Sequence, residues 1–507
     1  MNYLIGIDVG TSATKTVLFD EAGTVIASAS KEYPLIQPQN GWAEQRPEDW
    51  RDAALETVAQ VVRDSGVQTE LIKGIGISGQ MHGLVMLDGE GNVLRPSIIW
   101  CDQRTGEEVE DMLRIMPRER WIQITANPPL TGWTAAKILW VRKHEPELYA
   151  KCRHILLPKD YIRYVLTGVF ATEVSDASGM QLLDVPKRCW SDEVLDALDI
   201  DRSMLGKVYE SCEVTGTLLP EIAALTGLTA DTKVVGGAGD NAAAAVGTGI
   251  VKDGTAFTTI GTSGVVFAHS SSVSIDPKGR VHTCCCAVPG AWHIMGVTQG
   301  AGLSLKWFKD QFCQDYVEEA ARQGRDVYDL INEDVKTVAP GSDKLIYLPY
   351  LMGERTPHLD PDCRGVFFGL SAIHTKKHLL RAVMEGVSYS LCDCNEILKE
   401  MGVEVTQMMA CGGGGKSPVW RQMLSDLYGC TVKTVRQEEG PALGVAILAG
   451  VGCGIYSSVE AACEKLISEK NSTEPVPEQA ELYGRYHKLY QRLYGSLKED
   501  YKELAGL

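Results

Sequence analysis

The sequence predicts an α/β protein made of two related units, and three observations carry that expectation. Strand-like and helix-like periodicities alternate along the chain. A strand, a Gly-Thr-Ser turn and a second strand occur at the front and again after Asp253. With 507 residues, the chain is too long for one compact core, so two or three domains are expected.

The opening "YLIGIDVGTSATKTVLFDEAGTVIASAS" reads as three β segments, because apolar and β-branched residues run up to "VGTS", resume at "TKTVLF" and break at "DEAG". An antiparallel meander follows from this. In "RPEDWRDAALETVAQVVRDSG", Trp50, Ala54, Leu55, Val58, Val61 and Val62 recur at helical spacing, and Gly66 is a fitting stop. The stretch "IKGIGISGQMHGLVMLD" is strand-like on both sides of a polar centre. Near Asp253, "DGTAFTTIGTSGVVFAHS" repeats the opening pattern, so two hairpins with a "GTS" tip predict two domains that face each other. In the tail, Leu482, Tyr486, Leu489, Leu493 and Leu497 define a long amphipathic helix packed against the body.

Composition narrows the function. A formal net charge of −17 argues against a polyanion partner, since nucleic-acid binding draws on clustered Lys and Arg. No apolar run approaches the ~20 residues needed to span a bilayer. The fifteen cysteines are scattered, and the successive Cys284, Cys285 and Cys286 lack the spacing of a zinc site or an unstrained disulfide. With no signal peptide at the front, reduced thiols in a cytoplasmic protein are expected, bound to a small molecule.

Three glycine-rich stretches compete as ligand sites. "GIGISG", Gly74 to Gly79, satisfies G-x-G-x-x-G, but a strand follows where a dinucleotide site needs a helix, so the match is read as accidental. "ACGGGGKS" misses the P-loop pattern because Ala410 stands where a glycine is required. What remains there is a strand, four glycines and a helix, which allow either a plain turn or close approach to a ligand. "IDVGTS" differs, since Asp8 precedes the turn and Lys15 follows it. Gly10, Thr11 and Ser12 can aim N–H groups at phosphates while Asp8 holds a hydrated Mg²⁺, a set that suits a Mg-nucleotide.

At this point the chain resembles the FGGY family of carbohydrate kinases over nearly its whole length. The blocks that carry the resemblance are "GIDVGTS", "GISGQMHG", "LRPSIIWCDQRT", "LLPKDYIRYVLTG", "GAGDNAAAAVGTG", "IGTSGVVF", "LPYLMGERTPH", "RGVFFGLS", "CGGGGKSPVWRQMLSD" and "GPALGVAILAG". The resemblance implies two actin-like, ribonuclease H-like domains around a central nucleotide and sugar cleft. It places a sugar-side domain over residues 1–248, a nucleotide-side domain over 249–450 and a helical extension over 451–507. It also implies that Gly10, Thr11 and Lys15 meet the phosphates of ATP from one side and Gly261 and Thr262 from the other. Gly413 and Gly414 are expected along the adenosine, Met81, His82 and Asn241 on the sugar, and Asp8 on Mg²⁺ through water. A homodimer is the expected assembly.

Asp240 stands between a glycine cluster and "NAAAAVG". By the resemblance it is the base that accepts the sugar hydroxyl proton, and small neighbours would leave room for sugar while raising its pKa by desolvation. Aspartate is also a favoured helix N-cap, and one residue can do both. The expected reaction is ATP-dependent phosphorylation of a ketose, D-xylulose at its 5-hydroxyl, with ribulose or another ketose as the alternative. Glycerol is disfavoured by "QMHG". A non-catalytic sensor on this fold is expected to have lost Asp8 or Asp240, and both are present. For Glu354 and Arg355 in "GERTPH", a solvated or internal salt bridge is the default expectation.

Overall fold

The computed structural model describes residues 1–437 and 439–507. Its first sheet opens with the antiparallel meander β1 (Tyr3–Val9), β2 (Ala13–Asp20) and β3 (Val25–Glu32). Helix α1 (Pro47–Ser65) then crosses the sheet, with Pro47 in its first turn and Gly66 ending it in the left-handed region at φ 63°. Its buried Trp50, Val58 and Val61 share a core with Ile5, Ile7 and Val9 of β1. Strand β4 (Ile72–Gly79) pairs parallel to β1, and β5 (Lys233–Val235) parallel to β4. The chain between β4 and β5 includes α2 (Thr134–His144) and α3 (Pro158–Thr167).

A short helix, α4 (Asp240–Gly247), leads into the second sheet. Here the meander is β6 (Gly254–Ile260), β7 (Gly264–Ser270) and β8 (Trp292–Thr298), followed by helices α5 (Ala301–Phe312) and α6 (Lys376–Glu400). Strand β9 (Val405–Cys411) pairs parallel to β6, helix α7 (Pro418–Tyr428) crosses, and β10 (Thr431–Val435) pairs parallel to β9. Both halves therefore repeat one scheme: a three-stranded meander whose first strand is extended by two parallel strands. This is the duplicated ribonuclease H-like, actin-like architecture, and the two "GTS" tips are its paired β-turns.

Helix α8 (Gly440–Gly452) follows β10 in sequence yet packs on the first sheet. Glycines make this contact. A Cβ on Gly6 would fall 1.9 Å from the carbonyl oxygen of Ala442, and one on Gly76 1.9 Å from that of Val445. The alternating glycines of "GIGISG" are thus a surface for close helix packing, which gives them a structural reason apart from the dinucleotide pattern they happen to match. In exchange, α4 sends Ala245 against Phe257 and Phe267 of the second sheet. The two helices also cross each other, where a Cβ on Gly247 would lie 1.8 Å from the Gly440 oxygen and one on Gly444 1.9 Å from that of Ala243.

Helix α9 (Pro477–Gly506) packs on the body as expected, but its buried stripe is wider than the expected one. Leu493 is buried as expected, and Tyr486, Leu489 and Leu497 pack against the core, but Tyr483, His487, Tyr490, Tyr494 and Tyr501 are buried beside them. Polar tips make this possible: the Tyr483 hydroxyl donates to Glu385 at 2.8 Å, Tyr494 to Asp360 at 2.8 Å, and His487 meets Asp393 at 2.8 Å. Among the described residues all fifteen cysteines are unbridged, and no helix is long and apolar enough to cross a membrane.

Gly444→Ala should lower stability by roughly 1–3 kcal/mol or more, because the new methyl meets backbone that cannot step aside. By contrast, a Cβ on Gly495, inside exposed α9, meets nothing within 4 Å, so Gly495→Ala should stabilise by about 0.5–1 kcal/mol. Urea unfolding of the two variants distinguishes them.

Candidate active site

Asp8 sits near the end of β1, opposite Lys15 on β2 and Ser78 on β4. Its Oδ1 is buried and takes no hydrogen bond among the described residues. Burial raises its pKa, Ser78 and Lys15 offset that, and Glu439 adds to it. Lys15 itself pairs with Glu439 at 2.5 Å. Glu439, the residue before α8, escaped the sequence reading because only the exchange of α8 onto the first sheet brings it here.

The two hairpin tips share the Gly-Thr-Ser sequence but close one residue apart. In the first, the Gly10 amide donates to the Ala13 oxygen at 3.0 Å, and in the second the Gly261 amide donates to Ser263 at 3.1 Å. Gly10 therefore spends its N–H on closing the turn, leaving Thr11 and Ser12 with amides that meet no acceptor among the described residues. The carbonyls are held back: Gln45 Nε2 donates to the Thr11 oxygen at 2.7 Å, and Tyr33 and Gln80 donate to that of Gly10. Trp100 Nε1 donates to Thr11 Oγ1 at 2.9 Å. At the second tip the first amides of α5 donate to Gly261 and Thr262, at 2.7 and 3.1 Å.

The four glycines after β9 form a single helical turn, Gly412–Gly415, ahead of α7. The expected adenosine pair divides here. Gly413 is exposed to open space, whereas a Cβ on Gly414 would strike Ile260 at 2.5 Å, so Gly414 answers a packing need at the end of β6.

Asp240 is the first residue of α4 and only partly exposed. Its Oδ1 accepts from the backbone amide of Asn241 at 2.7 Å and from the Asn241 side chain at 3.0 Å. Asn241 therefore orients Asp240 in this structure, and its amide is already committed. The other oxygen, Oδ2, accepts no hydrogen bond among the described residues. Burial pushes the Asp240 carboxyl up to about 7, helped by the charge of Asp8 and opposed by the two bonds from Asn241.

The loop before Asp240 rests on a buried ionic cluster. The Gly239 amide donates to Ser175 Oγ at 3.1 Å, Ser175 donates to Glu173 at 2.9 Å, and Arg163 donates to the Gly236 oxygen at 2.9 Å. Lys159 reaches Asp160, Glu173 and Asp176 at 2.7, 3.3 and 3.4 Å. Two cations thus face three carboxylates, and burial holds the Asp176 carboxyl well above the usual range.

Met81 and His82 lie beside this loop. A Cβ on Gly239 would be 2.9 Å from Met81 Cγ, so the thioether packs against the residue preceding Asp240. His82, at φ 66°, stacks on Trp133 with ring centres 4.8 Å apart. Burial drops its pKa to about 3, and Lys137, His282 and Arg355 lower it further, so the ring is neutral. Nδ1 lies 2.8 Å from the Gly179 oxygen, which can only accept. The hydrogen bond assigns the proton to Nδ1 and leaves Nε2 as an acceptor for a hydroxyl.

An orphaned buried carboxylate oxygen on Asp8, with the carboxylates of Asp240 and Glu439 near enough to act on these groups electrostatically, suits a hard divalent cation such as Mg²⁺ and not a thiolate-seeking metal.

A duplicated actin-like fold, two glycine tips and a buried pair of aspartates define a phosphotransferase cleft, and the chain belongs to the FGGY family of carbohydrate kinases. Residues 3–247 match the N-terminal domain of that family and residues 256–453 its C-terminal domain. The chain is 41% identical to the xylulose kinase of Bacillus subtilis, covering 98% of both chains, and 39% identical to that of Lactococcus lactis, again covering 98% of both. A solved structure, the ligand-bound xylulose kinase from Lactobacillus acidophilus, superposes with a TM-score of 0.92 at 28% identity, covering 99% of this chain and 100% of that one.

Because a base must be ionised, kcat/KM for the sugar should rise as pH increases through about 7 and level off above it. Stability moves the other way. A carboxyl whose pKa is raised from the ordinary range to about 7 binds its proton more tightly when folded, so this group favours folding at low pH and loses that contribution as pH rises to 7. Asp240→Asn should therefore melt at a higher temperature than the parent at pH 8, with the gap narrowing as pH falls below 7 and closing near pH 4.

Proposed function

We propose that the chain is an ATP-dependent xylulose kinase that phosphorylates D-xylulose at its 5-hydroxyl. The observation that carries the reading is Asp240: a carboxylate with one oxygen free, a pKa poised near 7, and Met81 and His82 beside it. The choice of sugar rests on the relatives of Bacillus subtilis and Lactococcus lactis, both named xylulose kinases.

In this mechanism the sugar lies between Asp240 and His82. Nε2 of the neutral His82 accepts a hydrogen bond from a sugar hydroxyl and Met81 covers one apolar face of the carbon chain. Asp240 Oδ2 takes the proton of the 5-hydroxyl as that oxygen attacks the γ-phosphorus and the bond to ADP breaks. The proton is then released to solvent. Asn241 holds Oδ1 throughout, so the base does not rotate away. The amides of Thr11 and Ser12 bind phosphate oxygens, and Lys15 exchanges Glu439 for the triphosphate. Asp8 would hold Mg²⁺, which when bound would supply neutralisation of the phosphate charge. Reduced cysteines fit a cytoplasmic enzyme.

ADP release should be measured with Mg-ATP against D-xylulose, L-xylulose, D-ribulose, L-ribulose and glycerol, beside a sugar-free control. D-xylulose should give the highest kcat/KM; a higher value for another acceptor would overturn the sugar assignment. Asp240→Asn should lose roughly 10²–10⁴-fold in kcat while retaining ATP binding. Chelation should abolish turnover, and Asp8→Asn should raise the Mg²⁺ concentration needed by roughly 10- to 100-fold.

A further inference from the structure

The loop "GERTPH", residues 353–358, carries a buried acid and a cation that do not pair with each other, contrary to the salt bridge expected from sequence. Glu354 Oε1 accepts from the amides of Gln299 and Arg355, both at 2.8 Å, and Oε2 accepts from Thr298 and from Ser390 at 3.1 Å. Its oxygens are fully engaged by neutral donors, so Glu354 anchors the loop. Thr356 ties it again: its amide donates to the Val297 oxygen at 3.0 Å and its hydroxyl to that of Arg280 at 2.8 Å. Two backbone bonds between Glu354 and Asp360 close the loop, at 2.8 and 2.9 Å.

All this fixes one side chain in place. The Arg355 guanidinium makes no hydrogen bond or ion pair among the described residues. It lines a cavity of about 360 Å³ between the two halves of the molecule, with Arg118, Pro128 and Leu130 on the first-half wall and Gln299 and Met352 on the other. Burial lowers its pKa, so the charge is held at a cost and without a protein partner. Arg118, by contrast, already donates to the Lys278 oxygen at 2.8 Å.

The cavity adjoins the sugar site. His82 stacks on Trp133, Trp133 meets His282 with ring centres 5.6 Å apart, and the charge of Arg355 reaches both imidazoles. If the phosphorylated hydroxyl is at Asp240 and the carbon chain passes Met81 and His82, its far end is directed toward Arg355. In an acyclic 2-ketose that end is a hydroxyketone, whose carbonyl and C1 hydroxyl oxygens can lie in one plane and accept two parallel N–H bonds from a planar fork. In the corresponding polyol the vicinal oxygens are staggered and match the fork poorly.

We propose that Arg355 is a specificity residue that binds the hydroxyketone end of the acceptor, remote from the hydroxyl that is phosphorylated. The residue belongs to the second half of the chain, whereas Met81, His82 and Asp240 belong to the first. Sugar binding therefore bridges both halves and draws them together before the phosphoryl group moves.

This inference rests on the ketose reading above and is separable from it, since wild-type activity on D-xylulose is established first. Dissociation constants for D-xylulose and xylitol by calorimetry, with kcat and KM for D-xylulose, should be measured on the wild type, Arg355→Met and Arg355→Lys. Arg355→Met should weaken D-xylulose binding and kcat/KM roughly 10- to 100-fold, through the sugar KM and not that of ATP. Xylitol binding should change several-fold less, so the preference for ketose over polyol collapses. Arg355→Lys keeps the charge, loses the fork and should restore only part of the affinity. It also carries the test should the Met variant fold poorly. Equal weakening of ketose and polyol, a rise in the ATP KM in place of the sugar KM, or no weakening in an active enzyme would each overturn the proposal.

Discussion

The close crossing of α4 and α8 is the constraint on which the rest of the molecule depends. Each helix follows one half of the chain yet packs on the sheet of the other, and the two meet at Gly247 against Gly440 and Gly444 against Ala243. Backbone meets backbone there, so no side chain larger than hydrogen fits. The crossing also positions chemistry at both ends of the reaction. Asp240 begins α4, and Glu439, immediately before α8, holds Lys15.

Electrostatics in the cleft are uneven. Asp8, Asp240 and Glu439 gather negative charge at one corner, which Lys15 offsets in part. Away from that corner the character changes. His82 and His282 are held neutral by burial, and the half-buried Arg355 guanidinium has no ion-pair partner among the described residues. The cleft is thus divided into an acidic end at Asp8, Asp240 and Glu439 and a neutral-to-positive end at His82, His282 and Arg355. Asp240 stands on the boundary, close enough to Asp8 for its proton affinity to rise into the working range.

Much of the fold was legible in local pattern. The period of "IGIDVGTSATKTVLF" and its echo after Asp253 give both meanders, and Trp50 to Gly66 give α1 with its stop. Asp8 and Lys15 were legible because a hairpin of known register puts them opposite each other. What escaped depends on long-range packing. Glycines at 74 and 76 look like a ligand motif or an accident until α8 arrives from more than 350 residues away. Glu439 and Arg355 are ordinary surface charges in sequence, and only the exchange of α8 and the anchoring of Glu354 bring them to the cleft. The buried stripe of α9 was only partly legible, because leucine spacing picks out Leu493 but not Tyr483, His487, Tyr490 and Tyr494, whose polar ends need partners such as Glu385, Asp360 and Asp393 that only the fold supplies. Lys159, Asp160 and Arg163 left one readable sign, three charges crowded into the first turns of an otherwise apolar helix.

The most direct test of Asp240 as the base is its own titration. Carboxyl carbon resonances of ¹³C-labelled protein should be followed from pH 4 to 9, with Asp240→Asn to assign the signal and Asp8→Asn to remove the neighbouring charge. A pKa near 7 that falls when Asp8 is neutralised is the expected result. Titration near the ordinary carboxylate value, unmoved by Asp8→Asn, would mean that neither burial nor Asp8 tunes the group, and the assignment of Asp240 as a base poised by its surroundings would be wrong.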